Sequence, residues 1–478
     1  MKKRIFAIIL CIVLLCPLIS CSDANNLMKL EGAERADAFF DLVNADPSDA
    51  YVTEMQMEIV GSLYGARIEA EIENETTYID YNGKSPVYHS EGRSDITVSS
   101  DGAKTVQTVK TVSGYRDGKL YEKSESSGKT SALVSSVSAS DFKAHKDSLV
   151  GLSDEELEAL HKSATVKECI KNEDGTWSAS YSGYSEENVL ALIDYASDPT
   201  VLMLDGYKVK DVIFKVEANE DFIPTDWEYE IVFEKTDDSA LYPEPEAKTE
   251  IEFKDIGTAQ APALDLSSYT EVEGLVELQK LRAKLGEYLT SDEAGGFTAE
   301  SKQSVNSGTS MNYTHETDVV TYEVKNGNYT FDIDATVKTL IDTIGTEYVI
   351  TYSGGLFVMS QKGTSNAQRQ EMTESNARAF IYRLIDPAGL SDALVSNIKT
   401  NDGEYTHTFT LADPDYSALE ASLAPLGATN FNADASVSVI YNDNALEKYF
   451  YRMTLTCTAG GMTVTVNVES TVTFDQPR

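Results

Sequence analysis

The stretch DGTWSASYSGYSEENVLALIDY (residues 174–195) reads as a turn, a strand and a helix, and DGEYTHTFTLADPDYSALEASL (residues 402–423) repeats that order. In both stretches an Asp-Gly pair supplies the turn, alternating side chains predict a strand, and apolar residues at helical spacing predict a helix. The two turns lie 402 − 174 = 228 residues apart. This matched pair predicts a chain built as two similar halves.

The elements around the matched pair follow one plan in both halves. Each half begins with a helical segment, continues through four or five alternating strands and a helical middle, and closes with three strands after the matched helix. Asn-Gly and Asp-Gly pairs, such as Asp117-Gly118, separate many of the strands, which is a strong hairpin signal. The predicted duplication therefore rests on the order of elements in the two halves and not on residue identity between them.

Four segments follow from this plan. Residues 1–20 are predicted to be a signal peptide, 21–257 a first domain, 258–270 a linker and 271–478 a second domain. Two domains suit the length of 478 residues, since typical domains hold about 100–200 residues.

Long antiparallel strands with a few helices predict an α+β fold, with two tandem, strongly curved antiparallel β half-barrels whose concave faces are covered by helices. This order resembles the lipoprotein-carrier half-barrel family, which includes the LolA carriers and the LppX and LprG lipoproteins of mycobacteria. The first helices, the hairpin turns and the strand-to-helix passages at Trp177 and Tyr405 carry the resemblance. The resemblance implies an apolar cavity for a lipid or lipoprotein chain. It does not identify any ligand-binding residue in this sequence. A filled core would use the same alternating residues, so the sequence leaves both interpretations open.

The amino terminus has a basic start, an apolar run at 5–15 and the tetrapeptide Leu18-Ile19-Ser20-Cys21, which together are typical of a secretory signal. The tetrapeptide resembles the bacterial lipobox. That resemblance implies cleavage before Cys21, lipid such as palmitate on the new terminus, and attachment to the extracytoplasmic face of the cell membrane. An ordinary secreted protein with a chance cysteine is the alternative.

The charge of the chain narrows the class of binding partner, and its cysteine content bears on disulfide bonds. The chain has 39 basic and 78 acidic residues, a formal net charge of −39, and such a surface repels nucleic acid. The sequence indicates no particular protein partner. Cys169 and Cys457 are the cysteines left outside the signal and the lipid site, and we expect both to be buried free thiols rather than a bridge.

No constellation of residues predicts catalysis, a metal site or a cofactor. His161 and His407 are interpreted as single surface side chains, and neither has a second histidine or cysteine at metal-ligand spacing. Close acidic pairs are expected by chance in so acidic a chain. Tyrosines that alternate within strands, as Tyr78 and Tyr88 do, favour cross-strand packing.

The sequence therefore predicts a non-enzymatic, membrane-anchored lipoprotein that binds a lipid or another apolar or amphiphilic ligand at the cell envelope. The alternative is an envelope interaction or sensor module with filled cores and no internal ligand.

Overall fold

A computed structural model shows a chain that is mostly β-structure, with a few helices. It describes residues 26–474 except for 44–49, 64, 81–82, 101, 150–153, 197–200, 202–203, 237–241, 291–296, 308–310, 326–327, 339–342, 365–366, 372–376, 378–382, 392, 401–404 and 443–444.

The described helices and strands are, in chain order, α1 (Gly32–Val43), β1 (Ala50–Leu63), β2 (Ala66–Ile79), β3 (Val87–Ser100), β4 (Ala103–Arg116), β5 (Lys119–Ser126), β6 (Lys129–Ser136), α2 (Ala139–Leu149), α3 (Asp154–Lys162), β7 (Val166–Lys171), β8 (Trp177–Ser182), α4 (Glu186–Ala196), β9 (Tyr207–Ala218), β10 (Pro224–Lys235), β11 (Glu246–Lys254), β12 (Thr270–Glu271), α5 (Leu275–Thr290), β13 (Phe297–Ser307), β14 (Met311–Lys325), β15 (Asn328–Lys338), β16 (Thr343–Ser353), β17 (Leu356–Gln361), β18 (Ala367–Glu371), β19 (Val395–Thr400), β20 (His407–Leu411), α6 (Ser417–Leu423), β21 (Ala428–Asn442), β22 (Ala445–Ala459) and β23 (Met462–Phe474).

Contacts group the described residues into two compact units. The first unit holds the described residues up to Thr105, those from 154 to Val201, and Gly206–Pro262; the second holds Val106–Leu149, residues 204–205 and the described residues from Ala263 onward. This grouping is discontinuous along the chain, whereas the sequence divides it into consecutive halves. The domain boundaries at 257 and 271 stay predictions.

The first unit contains an antiparallel sheet with the strand order β3-β2-β1-β11-β10-β9-β8-β7. Successive side chains along a strand point to opposite faces. We call the face against which α1 packs the inner face; it carries apolar residues such as Ile59 and Phe214. The opposite, outer face carries charged residues such as Glu58 and Lys215. This alternation gives the sheet one face for the core and one for solvent.

Helix α1 closes the core at the β7–β9 end of this sheet. The Phe39 ring stacks on Trp177 with centroids 6.1 Å apart, and Phe40 meets Tyr181 edge-on at 5.7 Å. The Tyr181 hydroxyl donates a hydrogen bond of 2.7 Å to the carbonyl oxygen of Ala36. These aromatic side chains are fully buried, and each contributes about 1.5–3 kcal/mol through burial alone.

The second unit contains an eleven-stranded antiparallel sheet with the order β18-β17-β16-β15-β14-β13-β23-β22-β21-β20-β19. Strand β22 buries Tyr449, Met453 and Leu455 on one face. Helix α5 contacts α2, β5 and β6. It buries a stripe of leucines at helical spacing, namely Leu275, Leu278, Leu281 and Leu285.

Strands β4, β5 and β6 form an antiparallel meander in the second unit, and β12 pairs with β6 in parallel. The turn between β4 and β5 is the predicted Asp117-Gly118 pair, whose φ angles of 51° and 76° are both left-handed. This is the backbone that a two-residue hairpin of type I′ requires, and glycine adopts it without strain. The hairpin prediction is confirmed there.

One strand order occurs in both units. The order β3-β2-β1-β11-β10-β9-β8-β7 of the first unit recurs in the second as β15-β14-β13-β23-β22-β21-β20-β19, each number raised by twelve. The predicted repetition is therefore present, but the strand counts differ: in the first part of the chain six strands precede α2 and two precede α4, where the sequence predicted four or five and one. Among the described helices, none is long and apolar enough to cross a membrane.

Candidate ligand-binding face

A row of aromatic side chains crosses the inner face of the first unit. Tyr88, Tyr78 and Tyr51 are direct cross-strand partners on β3, β2 and β1, with ring centroids 5.8 and 4.7 Å apart. Phe253 on β11 lies 6.2 Å from Tyr51, and Trp227 on β10 lies 5.3 Å from Phe253. All five side chains are partly exposed. We call them the aromatic row; the predicted cross-strand packing of Tyr78 and Tyr88 is confirmed within it.

The aromatic row runs without interruption into the buried core. Trp227 meets Phe214 edge-on at 5.8 Å, and Phe214 stacks on Tyr181 at 5.8 Å beneath α1. Phe214 and Tyr181 are fully buried. The inner face therefore changes along its width from a helix-covered core to an apolar strip that is partly open to solvent.

His161 on α3 lies inside this core and not on the surface. Its ring is fully buried, stacks on Phe214 at 4.0 Å, and shares a hydrogen bond of 3.0 Å between Nδ1 and the Tyr184 hydroxyl. The Tyr229 hydroxyl lies 3.5 Å from Nε2. Burial lowers the pKa of His161 to about 3, so the ring is neutral at ordinary pH. The surface interpretation of His161 was wrong because the aromatic residues that bury it come from distant parts of the chain.

A group of three hydrogen-bonded polar side chains interrupts the inner face next to the aromatic row. Thr76 donates a hydrogen bond of 3.1 Å to the Ser90 hydroxyl, and Ser90 donates one of 2.7 Å to Oδ1 of Asn74. Thr76 and Ser90 are buried, and Asn74 is partly buried. We call these residues the polar trio. Because Asn74 Oδ1 accepts from Ser90, the donor end of the Asn74 amide takes no part in this chain of hydrogen bonds.

Asn74 and Trp227 lie in the same cross-strand row of the inner face. Asn74 pairs with Met55, Met55 with Ile251, and Ile251 with Trp227. The Trp227 Nε1 atom is buried and has no hydrogen-bond partner among the described residues. A buried N–H donor without a partner costs about 1–3 kcal/mol, so this atom is a position where an acceptor would be stabilising.

The outer face of the same sheet carries a row of six carboxylates on six neighbouring strands. Direct cross-strand pairing joins Glu217, Asp226, Glu252, Glu54, Glu75 and Glu91. We call these residues the carboxylate rung. Like charges that face each other across strands repel, so the rung opposes the stability of the sheet.

Hydrogen-bond donors beside the rung offset part of this repulsion. Lys254 forms ion pairs with Glu54 and Glu252, and these hydrogen bonds raise its pKa to about 12. His89 donates a hydrogen bond of 2.9 Å to Glu91. Burial and the negative charges of nearby carboxylates, Glu217 foremost, together raise the pKa of Asp226 to about 6, with burial the larger cause.

A partly buried hydrogen-bond network lies in the second unit. The Arg282 guanidinium on α5 donates to Oε1 of Glu122 at 2.5 Å and to the carbonyl oxygens of Leu390 at 3.3 Å and Ala393 at 2.8 Å. Gln279 Nε2 donates to the other Glu122 oxygen at 3.1 Å. Burial raises the pKa of Glu122, but the Arg282 charge and these hydrogen bonds outweigh it and leave the pKa below its ordinary value. The network joins β5, α5 and the backbone at Leu390 and Ala393, which indicates a structural role.

The remaining histidine interpretation was also wrong. His407 on β20 is buried, and its Nδ1 atom lies 3.2 Å from the Thr400 hydroxyl. Burial lowers its pKa. In the part of the chain that the structure describes, no group of three or more His, Cys, Asp or Glu residues is placed to hold a metal ion.

The predicted cysteine sites divide in two. Cys169 and Cys457 are free and buried, which confirms the prediction for both, and burial raises the pKa of the Cys169 thiol to about 11. Cys21, the predicted lipid-attachment residue, lies outside the described residues. Its role stays a prediction.

Comparisons with known proteins give only distant likenesses. No protein-family model matches the chain, and no curated protein matches it. Among solved structures, LprF from Mycobacterium bovis is 12% identical over 49% of this chain and 99% of its own, with a TM-score of 0.26. A DUF1329 family protein from Desulfovibrio piger is 11% identical over 43% of this chain and 94% of its own, with a TM-score of 0.17. At such TM-scores neither likeness carries an argument about function.

Proposed function

We propose that this protein is a membrane-anchored extracytoplasmic lipoprotein that binds an apolar or amphiphilic ligand on the inner face of its first unit and catalyses no reaction. One observation carries the proposal: the aromatic row continues the buried core but stays partly exposed. Exposed apolar surface that adjoins a core is typical of a ligand or interaction site. An occupant would remove from water the part of the row that α1 leaves uncovered.

The proposal includes two tandem half-barrels. The strand order shared by the two units supports it, as does the alternation of apolar inner and charged outer positions in the first unit. A sheet with one apolar face gains by curving around its helices. The resemblance to the lipoprotein-carrier family noted in the sequence has the same implication.

Attachment at Cys21 rests on the sequence Leu18-Ile19-Ser20-Cys21. Replacing the lipidated cysteine, Cys21→Ser, removes the thiol that would carry lipid. We expect this variant to lose all membrane association and all incorporation of labelled palmitate in cells, measured by fractionation and fluorography. Cys16→Ser, in the same amino-terminal segment, should keep both. Membrane association of the Cys21→Ser variant equal to that of the unaltered protein would refute the anchor.

Ligand binding can be followed through Trp227, because the chain has two tryptophans, Trp177 and Trp227. In a Trp177→Phe variant all tryptophan emission comes from the aromatic row. We expect vesicles with brominated acyl chains to quench most of this emission if acyl chains enter the inner face, since bromine quenches at short range. In the matched Trp227→Phe control, the fully buried Trp177 should be quenched far less.

Native mass spectrometry of the purified protein gives the second readout of this experiment, and we expect co-purified lipid. Equal quenching of the two variants, together with a lipid-free mass, would contradict ligand binding on this face.

The alternative is an envelope interaction or sensor module with filled cores. The carboxylate rung favours it, because such a surface suits a basic partner. Cross-linking in cells separates the two functions. A sensor should capture one protein repeatedly through the outer face, and Glu75→Lys should abolish that capture without changing the quenching of Trp227.

A further inference from the structure

The inner face of β1–β3 changes character along the strands. Along β2, the inward positions run from Tyr78 through Thr76 and Asn74 to Ile72 and Ile68. The face therefore has an aromatic end, a polar middle and an aliphatic end. Polar side chains in the middle of an apolar, partly buried face are costly unless their hydrogen-bonding groups are used.

The polar middle offers hydrogen-bond donors. The Ser90–Asn74 bond fixes the orientation of the Asn74 amide and leaves its Nδ2 end to donate. Trp227 Nε1, in the same cross-strand row, is a buried donor without a partner among the described residues. An indole N–H can only donate, so both groups call for an acceptor. Gly92 of β3 is the direct cross-strand partner of Asn74 and adds no side chain to the inner face beside the amide.

The same region lacks charge. Among the described residues of β1, β2 and β3, every inward position from Tyr51 to Leu63, from Tyr78 to Ala66 and from Tyr88 to Ser100 carries an uncharged side chain. An anionic group placed there would lose its hydration without gaining a counter-ion, which is strongly unfavourable. A neutral carbonyl group would accept hydrogen bonds at a much smaller desolvation cost.

We infer that the inner face of the first unit selects ligands that carry a neutral carbonyl acceptor, an ester or an amide, between or beside their apolar chains. In this assignment Asn74 is the specificity-determining donor, and Thr76 and Ser90 are positioning residues that orient its amide. Trp227 lies three strands away in the same row, so it would serve a second carbonyl of a larger ligand. The inference rests on the proposed ligand-binding function and adds the chemical class of the ligand.

Three single-chain probes of matched length test this selection: methyl myristate, which has a neutral carbonyl; myristate, which is charged; and hexadecane, which has no acceptor. Each is presented to the Trp177→Phe protein from cyclodextrin, and binding is measured through Trp227 emission. We expect methyl myristate to bind about fivefold tighter than hexadecane for one net hydrogen bond, and tighter than myristate. Asn74→Leu should reduce the ester-to-hydrocarbon ratio to about 1.

Two further variants show whether the N–H donors of Asn74, and not a general change in the sheet, cause the preference. Asn74→Asp has nearly the same shape, removes both N–H donors and should lose the ester preference as Asn74→Leu does. Gln56→Leu, at an exposed outer position of β1, makes a comparable change on the other face and should keep the preference. With the Asn74 side-chain amide labelled with ¹⁵N, its protons should move downfield on adding methyl myristate and stay in place with hexadecane.

The outcomes separate the two proposals. If the unaltered inner face binds none of the probes, ligand binding on this face fails and the selection fails with it. If the probes bind but methyl myristate and hexadecane bind equally, if myristate binds tightest, or if Asn74→Leu keeps the full ester preference, the selection is wrong while ligand binding stands.

Discussion

Replacing Arg282 by methionine is expected to lower the free energy of unfolding of the second unit by about 3 kcal/mol, the lower end of the range for a buried ion pair, because the change leaves the largely buried Glu122 carboxylate without its counter-charge. Methionine keeps the length and apolar contacts of the arginine stem. The carbonyl oxygens of Leu390 and Ala393 lose their donors in the same variant. Urea unfolding followed by far-UV circular dichroism measures the effect.

Two features make this measurement specific. Both tryptophans lie in the first unit, so tryptophan emission provides an internal reference that Arg282→Met should leave unchanged. Adding Glu122→Gln to Arg282→Met removes the unpaired charge while keeping a group for Gln279, and should recover a large part of the loss. An unfolding free energy within about 0.5 kcal/mol of the unaltered protein, the range of an ordinary surface substitution, would contradict a structural role for the pair.

The first unit is expected to lose stability as the pH falls below about 6.5, and His161 is the group responsible. The pKa of His161 is about 3 in the folded unit and 6.5 in the unfolded chain. Between those values the unfolded chain binds a proton that the folded chain excludes, so the free energy of unfolding falls with falling pH. This one group should remove about 2 kcal/mol between pH 7 and pH 5. His161→Phe should therefore show a shallower pH dependence, measured by urea unfolding through tryptophan emission.

Asp226 supplies a control of opposite sign in the same pH window. Its pKa is about 6 in the folded unit, above the ordinary 3.8, so the folded form takes up its proton first and gains stability as the pH falls through 6. Asp226→Asn removes that gain, so the free energy of unfolding of this variant should fall more steeply with falling pH than that of the unaltered protein. His161→Phe should have the opposite effect. Parallel pH curves for the two variants and the unaltered protein would contradict both assignments.

Local sequence rules predicted the parts of this fold that depend on neighbouring residues. The Asp117-Gly118 hairpin follows from the φ angles that those two residues tolerate. The burial of Cys169 and Cys457 follows from their places in alternating strands. The repetition of elements along the chain was predicted from residues 174–195 and 402–423, whereas the strand order within each sheet is seen only in the structure.

Features that depend on which strands and helices meet could not be predicted. Helix α3 is mostly polar, and nothing near His161 in the sequence indicates that Phe40, Phe214 and Tyr229 enclose it. The aromatic row needs the β1–β11 register to bring Tyr51 near Phe253. The Glu122–Arg282 pair joins residues 160 apart.

The candidate site left one weak signal in the sequence. Along β2, the side that carries Tyr78 and Ile72 also carries Asn74 and Thr76, so polar residues occur where alternation predicts apolar ones. Such a break in the pattern can indicate a functional position. Only the pairing with β3 shows that Ser90 completes a hydrogen-bonded group.

The pairing of β1 with β11 has a consequence for how the chain acquires its structure. Lys254 and Glu54, which form an ion pair across this seam, are 200 residues apart in the sequence. The β1–β2–β3 hairpins can form locally and early, but the seam closes only after β11 has been synthesised, and contacts of such long range form slowly. Until then β1 presents an unpaired edge, which can pair with another chain. Folding of the first unit should therefore be slow, and a chain truncated before residue 246 should aggregate rather than accumulate as a smaller folded domain.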